Sequence, residues 1–328
     1  MANEILEVRG LKKYFAAGSP GFFSRDTRNV HAVDGVDFTL RRSEVLALVG
    51  ESGCGKTTLS LLLMGLENPT AGTIHFEGMD VTNFDDRQRK EKDLRRKVQM
   101  VFQDPYESLN PTQTIEEIVI EPLLVHGMAN SPDRDARVRS ALEDAGLKPA
   151  DVYLRRYPHE LSGGQRQRVV IAAALVLEPE IILADEPVSM LDVSIRAEII
   201  NLLAELRITR RIAVIFITHD LGSVGFFADR VAVMYLGRIV EIGTMLEVLE
   251  NPQHPYTKAL ISVIPVPNPR LRHERIILQG ETPNPINIPS GCRFHPRCPV
   301  AISACAASDP PMVTLSKTHQ AACLLIAK

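Results

Sequence analysis

Short runs of consecutive apolar, largely β-branched residues alternate with stretches of helical periodicity through the first three quarters of the chain. Alternation of that kind predicts an α/β domain built on a largely parallel sheet. The clearest strands are Val45–Val49, Ile181–Ala184 and Ala213–Ile217. Each is apolar throughout rather than at every second residue, the pattern of a strand covered by helices on both faces. Two earlier segments, Leu6–Leu11 and Val33–Leu40, read as strands of a smaller sheet. Between them, 16-AAGSPGFFSRDTRNV-30 reads as a long exposed loop.

From Asp104 to Glu160 the helical signal dominates, broken by Pro111, Pro122, Pro132, Pro149 and Pro158. This stretch is expected to be a helical insertion, about 104–164, within a domain spanning 1–250. Beyond about Asn251 prolines crowd together (Pro252, Pro255, Pro265, Pro267, Pro269, Pro283, Pro285, Pro289). Proline cannot donate to a helix or a strand ladder, so 251–328 is expected to be an irregular extension. No internal repeat or low-complexity tract is present.

Bulk properties narrow the function classes. At 328 residues the chain supports one large or two smaller domains. A net charge of −3 gives no reason to expect nucleic acid or an acidic membrane surface as a partner. The opening MANEILEVRG lacks the basic and then apolar run of a secretory signal. The longest apolar runs, Val169–Leu177 and Ile212–Ile217, fall well short of the ~20 residues that span a bilayer. A soluble, cytosolic chain is expected, in which stable disulfides are disfavoured.

The first chemistry appears where Val45–Val49 runs into 50-GESGCGKTT-58, a full match to G-x-x-x-x-G-K-[ST], and then into the helical 59-LSLLLMGL-66. Gly50, Gly53 and Gly55 let the backbone curl, so that successive N–H groups, that of Ser52 among them, face phosphate oxygens at a helix N-terminus. Lys56 would reach the β- and γ-phosphates, and the Thr57 hydroxyl, followed by Thr58, would ligate Mg²⁺. Cys54 reads as a small filler. A second piece is 181-IILADEP-187, an apolar strand ending in two carboxylates. At the C-terminal edge of an open α/β sheet, Asp185 is placed to hold Mg²⁺ and Glu186 to orient and deprotonate an attacking water. On its own, such a strand is equally an ordinary one ending in two solvated acids.

The stretch 161-LSGGQRQR-168, lying after the glycine loop and before the acid-ended strand, resembles the signature of ATP-binding-cassette ATPases. Other pieces fall in the same order. Gln103 in 99-QMVFQDP-105 resembles the Q-loop, 189-SMLD-192 the D-loop, and His219 in 215-IFITHDL-221 the switch histidine. Phe15, or its neighbour Tyr14, is similar to the aromatic that stacks on adenine. The resemblance covers roughly Ile5 to Gly243 and implies a P-loop ATP-binding-cassette fold with a small antiparallel β subdomain and a helical subdomain. It also implies roles. Gln103 would link Mg²⁺ to the helical insertion, and His219 would contact the γ-phosphate. Ser162, Gly163, Gly164 and Gln165 would complete the ATP site of a partner cassette packed head to tail, and closure of the pair would turn nucleotide state into motion. All catalytic positions carry the expected residue types, so this chain's own site is expected to hydrolyse ATP.

Within that family, GFFSR in the early loop, 99-QMVFQDPYESLNPTQTIEEIVIEPLLVHG-127 and 251-NPQHPYTKALISVIP-265 resemble the F-type ATPase of oligopeptide and dipeptide importers. The resemblance implies a second, D-type ATPase as partner, two membrane-spanning permease subunits and an extracytoplasmic substrate-binding protein, with this chain peripheral on the cytoplasmic side of the membrane. The same branch serves nickel, glutathione and oligosaccharides, and non-transport cassette ATPases are a further alternative.

Four of the five cysteines lie in the tail, spaced Cys292-x5-Cys298-x6-Cys305-x17-Cys323. Structural zinc sites usually carry tighter C-x₂₋₄-C pairs. The wide spacing, with Pro299 after Cys298, tolerates a cubane cluster. The resembled branch implies a [4Fe–4S] cluster on such tails. Zn²⁺, with His295 or His319 as substitute ligand, is the alternative, thiols without metal a third reading, and a disulfide the least expected.

Overall fold

The computed structural model describes residues 4–17, 28–82, 89–128, 130–264 and 275–326. By packing, the chain divides into two compact units. One unit comprises Ile5–Thr39, Leu46–Asn83 and Thr218–Lys328, the other Met1–Glu4, Leu40–Val45 and Phe84–Ile217.

The first unit begins with β1 (Glu4–Ala16) and β2 (Asn29–Arg41), which contain the two expected early strands and extend them at both ends. With β4 (Ala71–Phe76) and β5 (Met79–Asp80) they form a four-stranded sheet in the order β2-β1-β4-β5. β1 and β4 are antiparallel, pairing Leu6 with Phe76 and Val8 with Ile74. Their inward residues are fully buried, whereas neighbours such as Arg9 stay exposed, the alternation of a one-sided sheet. The loop residues 18–27, with GFFSR, lie outside the described residues. Between β2 and β4 come β3 (Val45–Val49), buried at every position, and α1 (Lys56–Leu63).

In the second unit, α2 (Arg89–Lys97) leads into β6 (Val98–Val101). There follow α3 (Pro105–Ser108), α4 (Ile115–Val125), α5 (Arg134–Asp144) and α6 (Gly163–Leu175). α3, α4 and α5 fall within the stretch from Asp104 to Glu160 whose sequence is helical in pattern, and α6 lies beyond it. α4 and α5 both pack on α6. Next come β7 (Ile181–Asp185), α7 (Val193–Thr209) and β8 (Ala213–Thr218). β6, β7 and β8 are parallel, with Val98 beside Ile181 and Ile181 beside Ala213. β7 and β8 are buried along their whole length, as two-sided cover requires.

The chain then returns to the first unit through α8 (Leu221–Val224), β9 (Arg230–Tyr235), β10 (Arg238–Thr244) and α9 (Met245–Glu250). β9 is parallel to β3 and antiparallel to β10. The tail contains one regular helix that proline density argued against, α10 (Pro255–Ser262). Pro255 occupies its first turn, where the missing N–H has no intrahelical acceptor to lose, and His254 Nδ1 accepts the Tyr256 N–H at 3.1 Å as the cap. The prolines 265, 267 and 269 lie outside the described residues. From 275 onward the tail is irregular as expected, apart from α11 (Ser303–Ala307) and the two-residue strands β11 (Val313–Thr314) and β12 (Gln320–Ala321). β12 pairs with β10 and β11 with β12, both antiparallel.

Phe294 anchors this tail, buried with its ring 5.2 Å from Tyr235, 5.4 Å from Tyr256 and 5.5 Å from His254. No helix among the described residues is long and apolar enough to cross a membrane.

Candidate active site

In the first unit, β3 delivers the chain into the glycine loop. A Cβ on Gly50 would lie 2.2 Å from the Met234 carbonyl oxygen, and one on Gly55 would lie 2.0 Å from that of Ala32. Gly55 also has a φ of 106°, in the left-handed region, where it caps the N-terminus of α1. The glycines are therefore demanded by close backbone approach as well as by curl. Lys56 is buried, and its Nζ donates to the main-chain oxygens of Gly50 at 2.7 Å and Glu51 at 2.9 Å. Ser52 and Gly53 are exposed on the loop, Thr57 is exposed in the first turn of α1, and Thr58 is half-buried. Cys54 is buried, and desolvation pushes its thiol up despite the nearby Lys56 ammonium, so it stays neutral and fills space as expected.

Tyr14 and Phe15 are neighbours on β1 and face opposite ways. The Tyr14 hydroxyl donates to the buried Asp34, and its ring lies 4.2 Å from His31. Burial and the Asp34 carboxylate push the Tyr14 hydroxyl up to about 12. Burial works against the Asp34 charge. The Tyr14 hydroxyl and the Arg293 guanidinium outweigh it and hold that carboxyl far below the usual range. Phe15 has no such tie, and the Lys13 ammonium sits 4.9 Å from its ring centroid. His219 is exposed just after β8, followed by Asp220, whose side chain caps α8 by accepting from Gly222 N at 2.9 Å.

The second unit positions the other candidates. Asp185 is the last residue of β7 and only 9% exposed. Glu186 follows in the left-handed region, with φ 46°, its N–H donating to Ile217 O at 3.0 Å. A non-glycine residue held there is strained by about 1–3 kcal/mol, and such strain clusters at functional sites. Gln103 is exposed in the bend after β6. Ser162 caps α6 in a reciprocal box. Its hydroxyl accepts the Gln165 N–H at 3.3 Å, and its own N–H donates to Gln165 Oε1 at 3.0 Å. Gly164 lies against Ile195, whose Cγ2 would be 2.6 Å from an added Cβ. The 189–192 segment ends in Asp192 at the start of α7, with Met190 and Val193 exposed on either side of it.

In the tail, Cys292 N donates to Cys305 O at 2.8 Å, tying the two residues together through the main chain. Burial pushes the Cys292 thiol up, and Cys305, Cys323 and Cys298 push it further. Cys298 is raised by burial and by Cys323 and Cys305. None of the five cysteines is in a disulfide. Among the described residues, no group of three or more His, Cys, Asp or Glu is arranged as a metal site. The two histidines offered as substitute ligands are engaged elsewhere. His319 Nε2 meets the buried Glu241 at 2.8 Å, and His295 Nδ1 meets Cys292 O at 2.8 Å.

Sequence reasoning passed over the polar residues that join the tail to the loop. The Arg297 guanidinium meets Glu51 Oε2 at 2.8 Å, Thr282 donates to the same carboxylate, and Tyr256 Oη accepts the Glu51 N–H at 2.9 Å. Glu51 occupies a variable position of the motif, so nothing in the pattern marked it.

Residues 33–189 match the family described as ABC transporter, and 240–305 match the oligopeptide/dipeptide transporter C-terminal region. The oligopeptide transport ATP-binding protein AppF of Bacillus subtilis is 48% identical over 323 residues, covering 98% of this chain and 97% of that one. The dipeptide transport ATP-binding protein DppF of Haemophilus influenzae is 48% identical over 317 residues, 94% and 95% of the two chains. Among solved structures, CbiO1 of Clostridium perfringens, part of the transporter complex CbiONQ, matches with a TM-score of 0.64 at 31% identity, over 76% of this chain and 92% of that one. The cassette MJ0796, as a dimer bound to ADP and phosphate, matches with a TM-score of 0.63 at 28% identity, over 74% and 99%. With a P-loop cassette fold, the ordered motifs and near-full-length relatives at this identity, the chain belongs to the ATP-binding-cassette ATPases of the ABC transporter family, in the branch defined by the oligopeptide/dipeptide C-terminal region.

Proposed function

We propose that this chain is the ATP-hydrolysing subunit of a peptide importer, working peripherally on the cytoplasmic face of the membrane. Its partners are two membrane-spanning permeases, a second ATPase of the D-type and an extracytoplasmic binding protein. The observation that carries the reading is the glycine loop, where steric demand at Gly50 and Gly55 and the buried Lys56 shape a phosphate cradle in front of α1. The relatives' peptide-transport names and the matching C-terminal region supply the substrate class.

Lys56 binds the β- and γ-phosphates, and Phe15, rather than the tethered Tyr14, stacks on adenine. Mg²⁺ would be held by Thr57, Asp185 and Gln103, and would neutralise charge on the phosphates. Glu186 takes the proton of the attacking water, and His219 orients the γ-phosphate. Ser162, Gly163, Gly164 and Gln165 serve the ATP of the partner cassette at the N-terminus of α6. Closure on ATP and reopening after product release are passed to the permease through the helical insertion. There Phe102, Leu124 and Val125 are exposed apolar residues, in keeping with a covered surface. The cassette is taken as 1–250 and the extension as 251–328.

In the extension, Cys292, Cys298, Cys305 and Cys323 would be the ligands of a structural [4Fe–4S] cluster, a reading that rests on their spacing and on the resembled branch and not on the described geometry, in which no metal site is arranged. It is supported by four cysteines gathered within one proline-rich extension, whose folding a bound cluster would help. Iron and sulfide analysis of anaerobically purified chain is expected to find both, with visible absorbance, and zinc without iron would refute it.

The transport reading is tested by reconstituting the full complex in vesicles and following labelled peptide. Uptake is expected to require ATP and to vanish with Glu186→Gln. Co-purification with ribosomes or DNA in place of permeases would overturn it.

A further inference from the structure

The glycine loop is gripped from outside by Tyr256, Thr282 and Arg297 of the same unit. Glu51, the second residue of the loop, is fixed at three points. Its N–H donates to Tyr256 Oη at 2.9 Å, its carboxylate takes Arg297 at 2.8 Å and the Thr282 hydroxyl, and its carbonyl oxygen takes Lys56 Nζ at 2.9 Å. Arg297 also donates to Thr282 Oγ1 at 3.2 Å, so the three side chains close a small network around one carboxylate. Arg297's side chain is only 9% exposed, and its guanidinium lies 6.0 Å from the Tyr235 ring centroid. With the Glu51 side chain 29% exposed, the pair is partly shielded and less screened by salt than one on the open surface.

We infer that Arg297 is a positioning residue for ATP, acting through Glu51 on the glycine loop and on Lys56. The chain of contact is direct. The main-chain oxygens that hold Lys56 Nζ belong to Gly50 and Glu51, and Glu51 is the residue that Arg297, Thr282 and Tyr256 immobilise. Phosphate binding by a loop of N–H groups depends on those groups being aimed before the ligand arrives, because ordering them on binding costs affinity. Arg297 reaches the loop through the Glu51 carboxylate, and nothing in the loop motif requires an acid at position 51. The grip therefore makes the C-terminal extension part of the nucleotide site's scaffold, at the level of the phosphates. This inference rests on the loop being an ATP site.

The test is equilibrium binding of Mg-ATP to the purified full-length chain, followed with a fluorescent ATP analogue, for wild type, Arg297→Met, Arg297→Lys, Glu51→Gln and Arg297→Met with Glu51→Gln. Arg297→Met and Glu51→Gln are each expected to weaken binding about tenfold, the loss of a charge-assisted contact. The double variant is expected to be no weaker than either single one, since both remove the same link. Arg297→Lys is expected to recover part of the loss. A role confined to holding the tail folded would lower the melting temperature without the shared, non-additive loss of nucleotide affinity. Glu51→Gln keeps the residue's shape and the Tyr256 contact, so it carries the test should Arg297→Met fail to fold. Single variants within twofold of wild type, or losses that simply add, would overturn the inference while leaving the ATP reading intact. A wild-type chain that binds no Mg-ATP would overturn both.

Discussion

At Gly55 the backbone sits at φ 106° with a carbonyl oxygen 2.0 Å from where a Cβ would go. Gly55→Ala is expected to displace the loop, abolish nucleotide-dependent thermal stabilisation and cost about 1–3 kcal/mol in a denaturant melt. Glu186 presents the opposite trade, since its left-handed backbone at φ 46° suits glycine better than any side chain. Glu186→Gly is expected to melt higher than Glu186→Ala, by about 1 kcal/mol, with both unable to turn over ATP. His254 sets a pH dependence. Burial, with Lys258 nearby, pushes its ring down from 6.5 to about 3, so it stays neutral in the fold. Between those values the unfolded chain binds the extra proton. Stability is therefore level above the ordinary histidine range and falls as pH drops through it, by at most about 1.4 kcal/mol per pH unit. Urea melts from about pH 7 to about pH 5 should show that slope, and His254→Asn, which keeps an acceptor for the Tyr256 N–H, should flatten it.

Among the elements, α4 illustrates how local chemistry sets a boundary. Thr114 N donates to Glu117 Oε2 at 2.7 Å and Thr114 Oγ1 accepts the Glu117 N–H at 3.3 Å, a reciprocal cap just ahead of the apolar Ile115, Ile118 and Val119. Thr114→Ala is expected to cost about 0.5–2 kcal/mol, read as a shift in the denaturant midpoint with an unchanged slope. The strands were the most legible elements, because uniformly apolar runs such as 45–49 and 213–217 have one plausible place in an α/β fold. The glycine loop, signature and acid-ended strand were legible too, since close approach and capping dictate residue types at fixed spacing. α10 was not, because proline density was read as a helix breaker where Pro255 in fact occupies a first turn. The Arg297–Glu51 pair was invisible for another reason: two charged residues 246 positions apart carry no local pattern that would bring them together.

For the molecule as a whole, the tail is woven into the unit that carries the glycine loop. Glu241, fully buried on β10, accepts from Gln253 N and His254 N at 2.8 Å each and meets His319 Nε2 at 2.8 Å. His319→Ala would leave part of a buried carboxylate's hydrogen bonding unmet, and is expected to destabilise the unit by about 1–3 kcal/mol in a denaturant melt. The same region does something further for the chain's behaviour in a crowded solution. β10 has β9 on one flank, and on the other, among the described residues, the two residues of β12, with Glu241 opposite Ala321 and Ile242 opposite Gln320, and Ala322, whose N–H donates to Val240 O at 2.8 Å. Those few residues close a row of main-chain donors and acceptors that would otherwise recruit a strand from another molecule. The C-terminal extension is therefore also a guard against self-association: a chain cut short of β11 is expected to associate edge to edge, read as a rising apparent mass in light scattering.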